Sequence, residues 1–422
     1  MTTRLSVSGE RLYRSLVTLG EVGAYDADNG LRGVARLALT AADGAGRQHV
    51  VERMRELGLE VRIDRIGNVY GRRRGTHDSL APVMLGSHID SVATGGMFDG
   101  CLGVLGGLEV VRVLNDAGRT TRRPIEVAFF TEEEGARFGT DMLGSAVATG
   151  RIPLEQAYGL RDRVGKVVKD ELAAIGFLGE HSELLPAPHA YLECHIEQGP
   201  MLRAGSRDIG VVTGVQAICW HELLIVGKSA HAGTTPMSLR ADPGVAAARI
   251  NVAIREMTAS GRFGPDLRAT MGVITPYPGL VNVVPGKVTA SVDIRNPDDA
   301  ILARAEAEVL ELYASVAAAE KVSITHRQTA RTNRVRFDER VQAEVARSAD
   351  ARGLSHERIV SGAGHDAQEM APHCPSGMVF VPGEYDGISH NPRELSTRSQ
   401  CENGVNVLLD VTLAFADEAG TP

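Results

Sequence analysis

The run from Pro124 to Thr131 is β-branched and aromatic and passes straight into three adjacent glutamates, Glu132, Glu133 and Glu134. A run of this kind reads as a strand. Three neighbouring carboxylates at the end of a buried strand repel one another, and no basic residue follows until Arg137. They are costly there unless a metal ion or another positive charge compensates them. The plain alternative is a solvated acidic turn. In an open α/β sheet, functional groups collect at the C-terminal ends of parallel strands, which is where this segment would belong.

Its neighbours fit such a sheet. Val61 to Tyr70 reads as a strand and Pro82 to Ser87 as a short apolar one, while Leu102 to Ala117 carries apolar residues at helical spacing. Strands alternating with helices imply a mainly parallel sheet covered on its faces. From about Trp220 the rhythm changes. His221 to Lys228, Arg268 to Ile274, Lys287 to Arg295 and Lys321 to His326 read as strands, and Pro243 to Thr258 and Ala300 to Glu320 as helices. That βαββαβ order is the ferredoxin-like split unit. A helix is also expected near Glu339 to Arg352. At 422 residues the chain suits about two domains. The expected α/β architecture is a mainly parallel-sheet catalytic domain, 1–213 with 330–422, interrupted by an inserted ferredoxin-like α+β domain at 214–329.

Composition excludes several partners. Apolar residues make up 43% and charged residues 23%, ordinary for a globular protein. A formal net charge of −8 argues against nucleic acid or an anionic membrane, which call for clustered Lys and Arg. Met1 to Leu12 has no signal-length apolar core and no stretch approaches a membrane span. The five scattered cysteines form no CxxC pair. They fit reduced thiols better than disulfides or a thiolate zinc site, and a cytoplasmic location is expected.

Five segments, the triple glutamate among them, offer metal-ligand or catalytic side chains. Gly86-Ser-His88-Ile-Asp90-Ser91 closes an expected strand. There His88 can ligate through one ring nitrogen while Asp90 holds the other. Gly95-Gly-Met-Phe-Asp99-Gly100 precedes a helix, so Asp99 is either an N-cap or a carboxylate bridging two cations. The triple glutamate follows, then Glu193-Cys-His195-Ile-Glu-Gln198-Gly-Pro200 and Gly387-Ile-Ser389-His390-Asn-Pro392. Singly, each histidine is better explained by a structural hydrogen bond than by metal ligation. Jointly, His88, Asp99, Glu134, His195 and His390 form an N/O set suited to two divalent ions such as zinc, manganese, cobalt or nickel.

These segments, with Ser229-Ala-His-Ala-Gly-Thr-Thr-Pro-Met237 and Ser361-Gly-Ala-Gly-His-Asp-Ala367, resemble the hydantoinase/carbamoylase amidase family from Gly86 to Glu394. That family holds N-carbamoyl-L-amino-acid hydrolases, allantoate amidohydrolases and β-ureidopropionases, within the wider clan of aminoacylase-like dinuclear metallohydrolases. The resemblance implies that His88, Asp99 and His195 hold one metal, and that Asp99 bridges to a second held by Glu134 and His390. Glu133 would be the general base, with Asp90 behind His88. His231 would stabilise the oxyanion in a partner subunit's site, which implies a homodimer with the inserted domain as lid and dimerisation element. Gln198, Gln216, Asn282, Arg295, Gly387 and Ser389 would bind a small carboxylate-bearing ureido or amide substrate, with His365 a lesser candidate. Arg295 suits a carboxylate because its guanidinium is a two-pronged donor.

The chain departs from the family pattern at Glu132, where Asn or Asp is usual, at Arg203, commonly acidic, and in the loop Pro382-Gly-Glu-Tyr-Asp386. The expected activity is metal-dependent hydrolysis of N-carbamoyl-L-amino acids. Allantoate or β-ureido acids, N-acyl amino acids or dipeptides, and a non-catalytic binding role stand as alternatives. No Gly-x-Ser-x-Gly elbow supports a serine hydrolase.

Overall fold

The computed structural model describes residues 4–28 and 30–419, so the first three residues of Met1–Leu12 and the last three of the chain lie outside it. The chain divides into two compact units, one formed by Met1–Gly214 with Arg336–Pro422 and one by Val215–Val335. The sequence-expected boundary at 329/330 falls inside the strand Ser323–Thr332.

The larger unit is built on a nine-stranded mixed sheet. Its centre is parallel: Ser376–Val381 pairs with Ala190–Ile196, then comes Val83–His88, then Ile125–Phe130. All four strands are buried along their whole length. Continuous apolar runs are what a parallel sheet covered on both faces requires. The flanks are antiparallel, with Val69–Arg73 against Ile125–Phe130 and Ile209–Val215 against Ser376–Val381. The helices Cys101–Asp116 and Arg398–Ala416 supply apolar faces to the core.

Where the sequence suggests one strand, Val61 to Tyr70, there is a hairpin of Glu60–Ile63 and Val69–Arg73. Asp64 Oδ1 accepts the N–H groups of Ile66 and Asn68, at 3.1 and 2.8 Å, and folds the backbone into a turn.

The smaller unit carries a five-stranded antiparallel sheet. Its spatial order is Arg268–Thr270, Lys287–Asn296, Ala217–Val226, Ser323–Thr332, with Ile274–Tyr277 also paired to Lys287–Asn296. Helices Pro243–Ala259 and Asp299–Glu320 bury their apolar stripes against it. The run Arg268 to Ile274 is therefore two short strands rather than one. Among the described residues, no helix is long and apolar enough to cross a membrane.

Candidate metal centre

The four parallel strands deliver the site. His88 is the last residue of its strand, Glu132–Glu134 follow Phe130, His195 is the penultimate residue of Ala190–Ile196, and the loop to His390 leaves Val381. Parallel pairing aligns these ends, so ligands far apart in sequence arrive on one edge.

Asp99 stands at the centre. Its Oδ1 lies 3.4 Å from His88 Nε2 and 3.1 Å from His195 Nε2, and its Oδ2 lies 3.5 Å from His390 Nε2. His390 Nε2 is in turn 3.1 Å from Glu134 Oε2. The result is two donor triads that share one carboxylate: His88, Asp99 and His195, all buried, and Asp99, Glu134 and His390. Within each triad the ligand atoms lie within 4.8 Å of one another.

The tautomers fit cation binding. His88 Nδ1 lies 3.0 Å from the Asp90 carbonyl and His195 Nδ1 2.8 Å from the Ile196 carbonyl. A carbonyl only accepts, so each Nδ1 carries the hydrogen and each Nε2 turns its lone pair toward Asp99. The Gly100 N–H donates to His195 Nε2 at 3.0 Å, which agrees. Lone pairs and carboxylates converging on a buried point call for a positive charge. Glu134 Oε1 and Gln198 Oε1 are buried there without a hydrogen-bond partner. The residues therefore fit divalent ions of the N/O-preferring kind.

The same centre concentrates opposite charges. Against a burial penalty that raises it, His195, His390 and His88 hold the Asp99 carboxyl well below its usual range. Hydrogen bonds to Asp99 and Glu134 hold His390 up to about 10. Burial pushes Glu133 well above the usual carboxylate range, and the neighbouring Asp366 and Glu134 add to it.

Backbone strain shapes the edge. Glu132, Gln198 and His390 all adopt left-handed φ, at 54°, 57° and 55°. Such conformations are uncommon outside glycine and collect at functional sites. The kink at Glu132 separates the three glutamates. Glu132 Oε1 turns away to accept the N–H groups of Arg137 and Phe138, at 3.0 and 2.6 Å, while Glu133 Oε2 faces His88 Nε2 at 3.4 Å. Gly100, at φ 65°, sits beneath His88, where a Cβ would come within 2.4 Å of Nε2.

Several other expected residues make defined contacts of their own. The Asp90 carboxylate is 3.8 Å from His88 Nδ1, and the imidazole is held instead by the Asp90 backbone carbonyl. The carboxylate accepts the N–H groups of Glu133 and Glu134, at 3.4 and 3.3 Å, so it orients the glutamate loop. Gln198 Nε2 and Ser389 Oγ donate to Asp99 Oδ2, at 2.7 and 2.8 Å, and so position the shared ligand. Gly387 is required by the backbone: at φ 66°, a Cβ there would meet the Gly199 carbonyl oxygen at 1.7 Å. His365 is buried edge-on to His195 and bonded to Ser361 Oγ at 2.9 Å.

His231, Asn282, Arg295 and Gln216 belong to the smaller unit. His231 is exposed, and its Nδ1 accepts from Gly233 and Thr234, which leaves the proton on Nε2. Arg295 closes its fork on Asp293, with Nη2 at 2.8 Å from Oδ2. Asn282 presents its backbone carbonyl to Ala232 at 2.9 Å. Gln216 is buried.

Glu394 has no assigned role in the sequence reading. Its Oε1 accepts the N–H groups of Phe98 and Asp99, at 3.0 and 3.1 Å, and its Oε2 meets Ser389 Oγ at 2.7 Å. It ties the Asp99 loop to the His390 loop. It lies two residues beyond the motif Gly387 to Pro392.

The family described as Peptidase family M20/M25/M40 matches residues 84–414. The chain belongs to it. An N-carbamoyl-L-amino-acid amidohydrolase of Rhizobium meliloti is 40% identical over 97% of both chains. An allantoate amidohydrolase of Bacillus subtilis is 35% identical over 91% of this chain and 93% of that one. A hydantoinase/carbamoylase family amidase of Burkholderia vietnamiensis, solved by crystallography, is 43% identical, superposes with a TM-score of 0.92, and is covered completely by 99% of this chain. The protein is thus an amidohydrolase of the carbamoylase and allantoate amidohydrolase group.

Proposed function

We propose that the protein is a dinuclear metal-dependent amidohydrolase that converts N-carbamoyl-L-amino acids to the L-amino acid, carbon dioxide and ammonia. The observation that carries this reading is Asp99, whose two oxygens face separate donor triads. The relatives named as N-carbamoyl-L-amino-acid amidohydrolases favour this substrate class. The relatives named as allantoate amidohydrolases, 35% and 33% identical, support allantoate as the second reading.

His88, Asp99 and His195 would hold one divalent ion, and Asp99, Glu134 and His390 the other. Bound ions at such a centre activate water near neutral pH and polarise a carbonyl. Glu133, buried beside His88, takes the proton of the attacking water and returns it to the leaving nitrogen. His231, with its proton on Nε2, donates to the oxyanion that develops on the ureido oxygen. Arg295 and Asn282 bind the substrate carboxylate, which requires Arg295 to exchange Asp293 for the incoming anion. A homodimer is part of this reading, since His231 is exposed on its own unit. A reducing cytoplasm suits five buried free thiols.

Protein reconstituted separately with manganese, cobalt, nickel or zinc tests the proposal by ammonia and amine release. The panel holds N-carbamoyl-L-amino acids, N-carbamoyl-β-alanine, allantoate and N-acetyl-L-amino acids. Turnover of an N-carbamoyl-L-amino acid that disappears in Glu133→Gln is the expected result. Preferential turnover of allantoate would replace the substrate assignment, and no turnover with two ions bound would remove the catalytic reading.

A further inference from the structure

Beneath the helix Asp299–Glu320, on the inner face of the smaller unit's sheet, lies a second cluster of ligand-type side chains. Cys219 and His221 sit two residues apart on the strand Ala217–Val226, so both point the same way, and both are buried. Glu306 comes down from the helix between them. Cys219 Sγ is 3.4 Å from His221 Nε2 and 3.2 Å from Glu306 Oε1, and His221 Nε2 is 3.2 Å from the same oxygen. Ligands around a tetrahedral zinc, at about 2.0–2.3 Å from the ion, stand about 3.3–3.7 Å from one another. The observed triangle is close to one face of that tetrahedron.

The neighbouring strand is deformed toward the same point. In Ser323–Thr332 a register shift between Gln328 and Ala330 sets Gln328 opposite His221 and Arg331 opposite Cys219. Without the extra residue, Ala330 would face Cys219 and Arg331 would point to the other side of the sheet. The bulge thus turns Arg331 inward, beside Gln328, which the regular pairing already sets opposite His221. The Gln328 amide lies 2.8 Å from Glu306 Oε1 and 3.6 Å from Cys219 Sγ, at the open side of the triangle. Arg331 holds the other carboxylate oxygen, Oε2. The Tyr313 hydroxyl is 3.3 Å from His221 Nδ1 and can accept its hydrogen, fixing Nε2 as the inward lone pair.

The thiol and the Gln328 amide both donate to Glu306 Oε1, while the inward His221 Nε2 brings a lone pair to the same point. One cation in place of the thiol proton would draw on all of these donors, and half a turn of the Gln328 amide brings its carbonyl oxygen into the fourth position.

We propose that Cys219, His221 and Glu306, completed by Gln328, form a separate tetrahedral site for a single zinc-like divalent ion in the smaller unit. Gln328 is exposed, so the ion has a route from solvent. The Arg331 guanidinium is an electrostatic cost, which makes the site exchangeable rather than permanent.

Cobalt(II) reports this site independently of the centre at Asp99, whose donors are nitrogen and oxygen only. The whole protein is stripped with chelator, reloaded with cobalt, and followed by absorbance and metal analysis. A near-ultraviolet sulfur-to-cobalt charge-transfer band is expected, together with one equivalent of cobalt that is lost in Cys219→Ser. His221→Gln retains the thiol but removes a ligand, and it should abolish or shift the band, with circular dichroism confirming that both variants fold. Absence of the band in the native chain, or its persistence in Cys219→Ser, overturns the assignment and leaves a hydrogen-bonded network. Loading of the Asp99 centre is read separately from cobalt stoichiometry in the variants.

Discussion

Arg203 Nη1 meets the carboxylate of Glu384, joining two of the three places where the sequence departs from the pattern of the family it resembles. Gln400 Nε2 donates to the other oxygen of Glu384 at 3.1 Å. The basic residue at 203 and the acidic residue in the loop 382–386 therefore form one ion pair. The loop carries two left-handed residues, Tyr385 and Asp386, immediately before Gly387. Solvent screens a surface pair of this kind. Arg203→Glu should accordingly barely move the melting temperature but raise KM up to about fivefold. The double variant Arg203→Glu with Glu384→Arg should recover most of the loss. A double-mutant cycle in KM without coupling would separate the pair from the site.

Glu133→Gln keeps the shape of the side chain and removes its basicity. Turnover is expected to fall by roughly 10²–10⁴-fold with the metal content unchanged, measured by steady-state kinetics and metal analysis of the same preparation. Glu132→Gln should cost far less in rate, because Glu132 binds the loop at Arg137 and Phe138. Equal losses in the two variants would contradict the division of roles.

Asp99 touches both triads, whereas Glu134 and His195 each belong to one of the two. Asp99→Ala should lose both ions on dialysis, Glu134→Ala one, and His195→Ala the other. Metal equivalents per chain, counted after dialysis, decide this. Retention of one full equivalent in Asp99→Ala would show that the carboxylate is not shared.

Chelation should destabilise the larger unit, because it leaves Asp99, Glu133 and Glu134 converging without a cation. Anything that binds only the folded state adds stability by mass action, about 2.7 kcal/mol at a hundredfold excess over Kd. The melting temperature should fall with chelator and recover on adding back zinc or manganese. Asp99→Ala should show neither response.

Gly387→Ala should be poorly tolerated. The added Cβ meets the Gly199 carbonyl, and the left-handed φ adds strain of order 1–3 kcal/mol. A loss of at least about 2 kcal/mol in urea unfolding is expected, with weakened metal binding, since His390 lies three residues on.

The candidate donors His88, Glu134 and His195 were legible in the linear chain because each sits in a short motif at the end of a strand, whereas Asp99 precedes the helix Cys101–Asp116 and His390 lies in a loop. His88, Glu134 and His195 follow apolar runs that can only be buried strands, and an unpaired carboxylate or imidazole there implies a cation. The βαββαβ order was legible for the same reason, since strand and helix periodicities are local. Other features depended on contacts between distant segments. Glu394 reaches the Phe98 and Asp99 amides across nearly three hundred residues, and nothing near Glu394 announces those partners. The left-handed turn at Glu132 decides which glutamate faces His88, and a propensity argument does not place such a turn at a glutamate. The bulge that turns Arg331 toward Cys219 shows only as a slip in pairing between two strands. Local patterning determined which side chains this protein brings to the sheet edge. Strand pairing and backbone strain, which depend on partners remote in sequence, decided which atoms of those side chains meet.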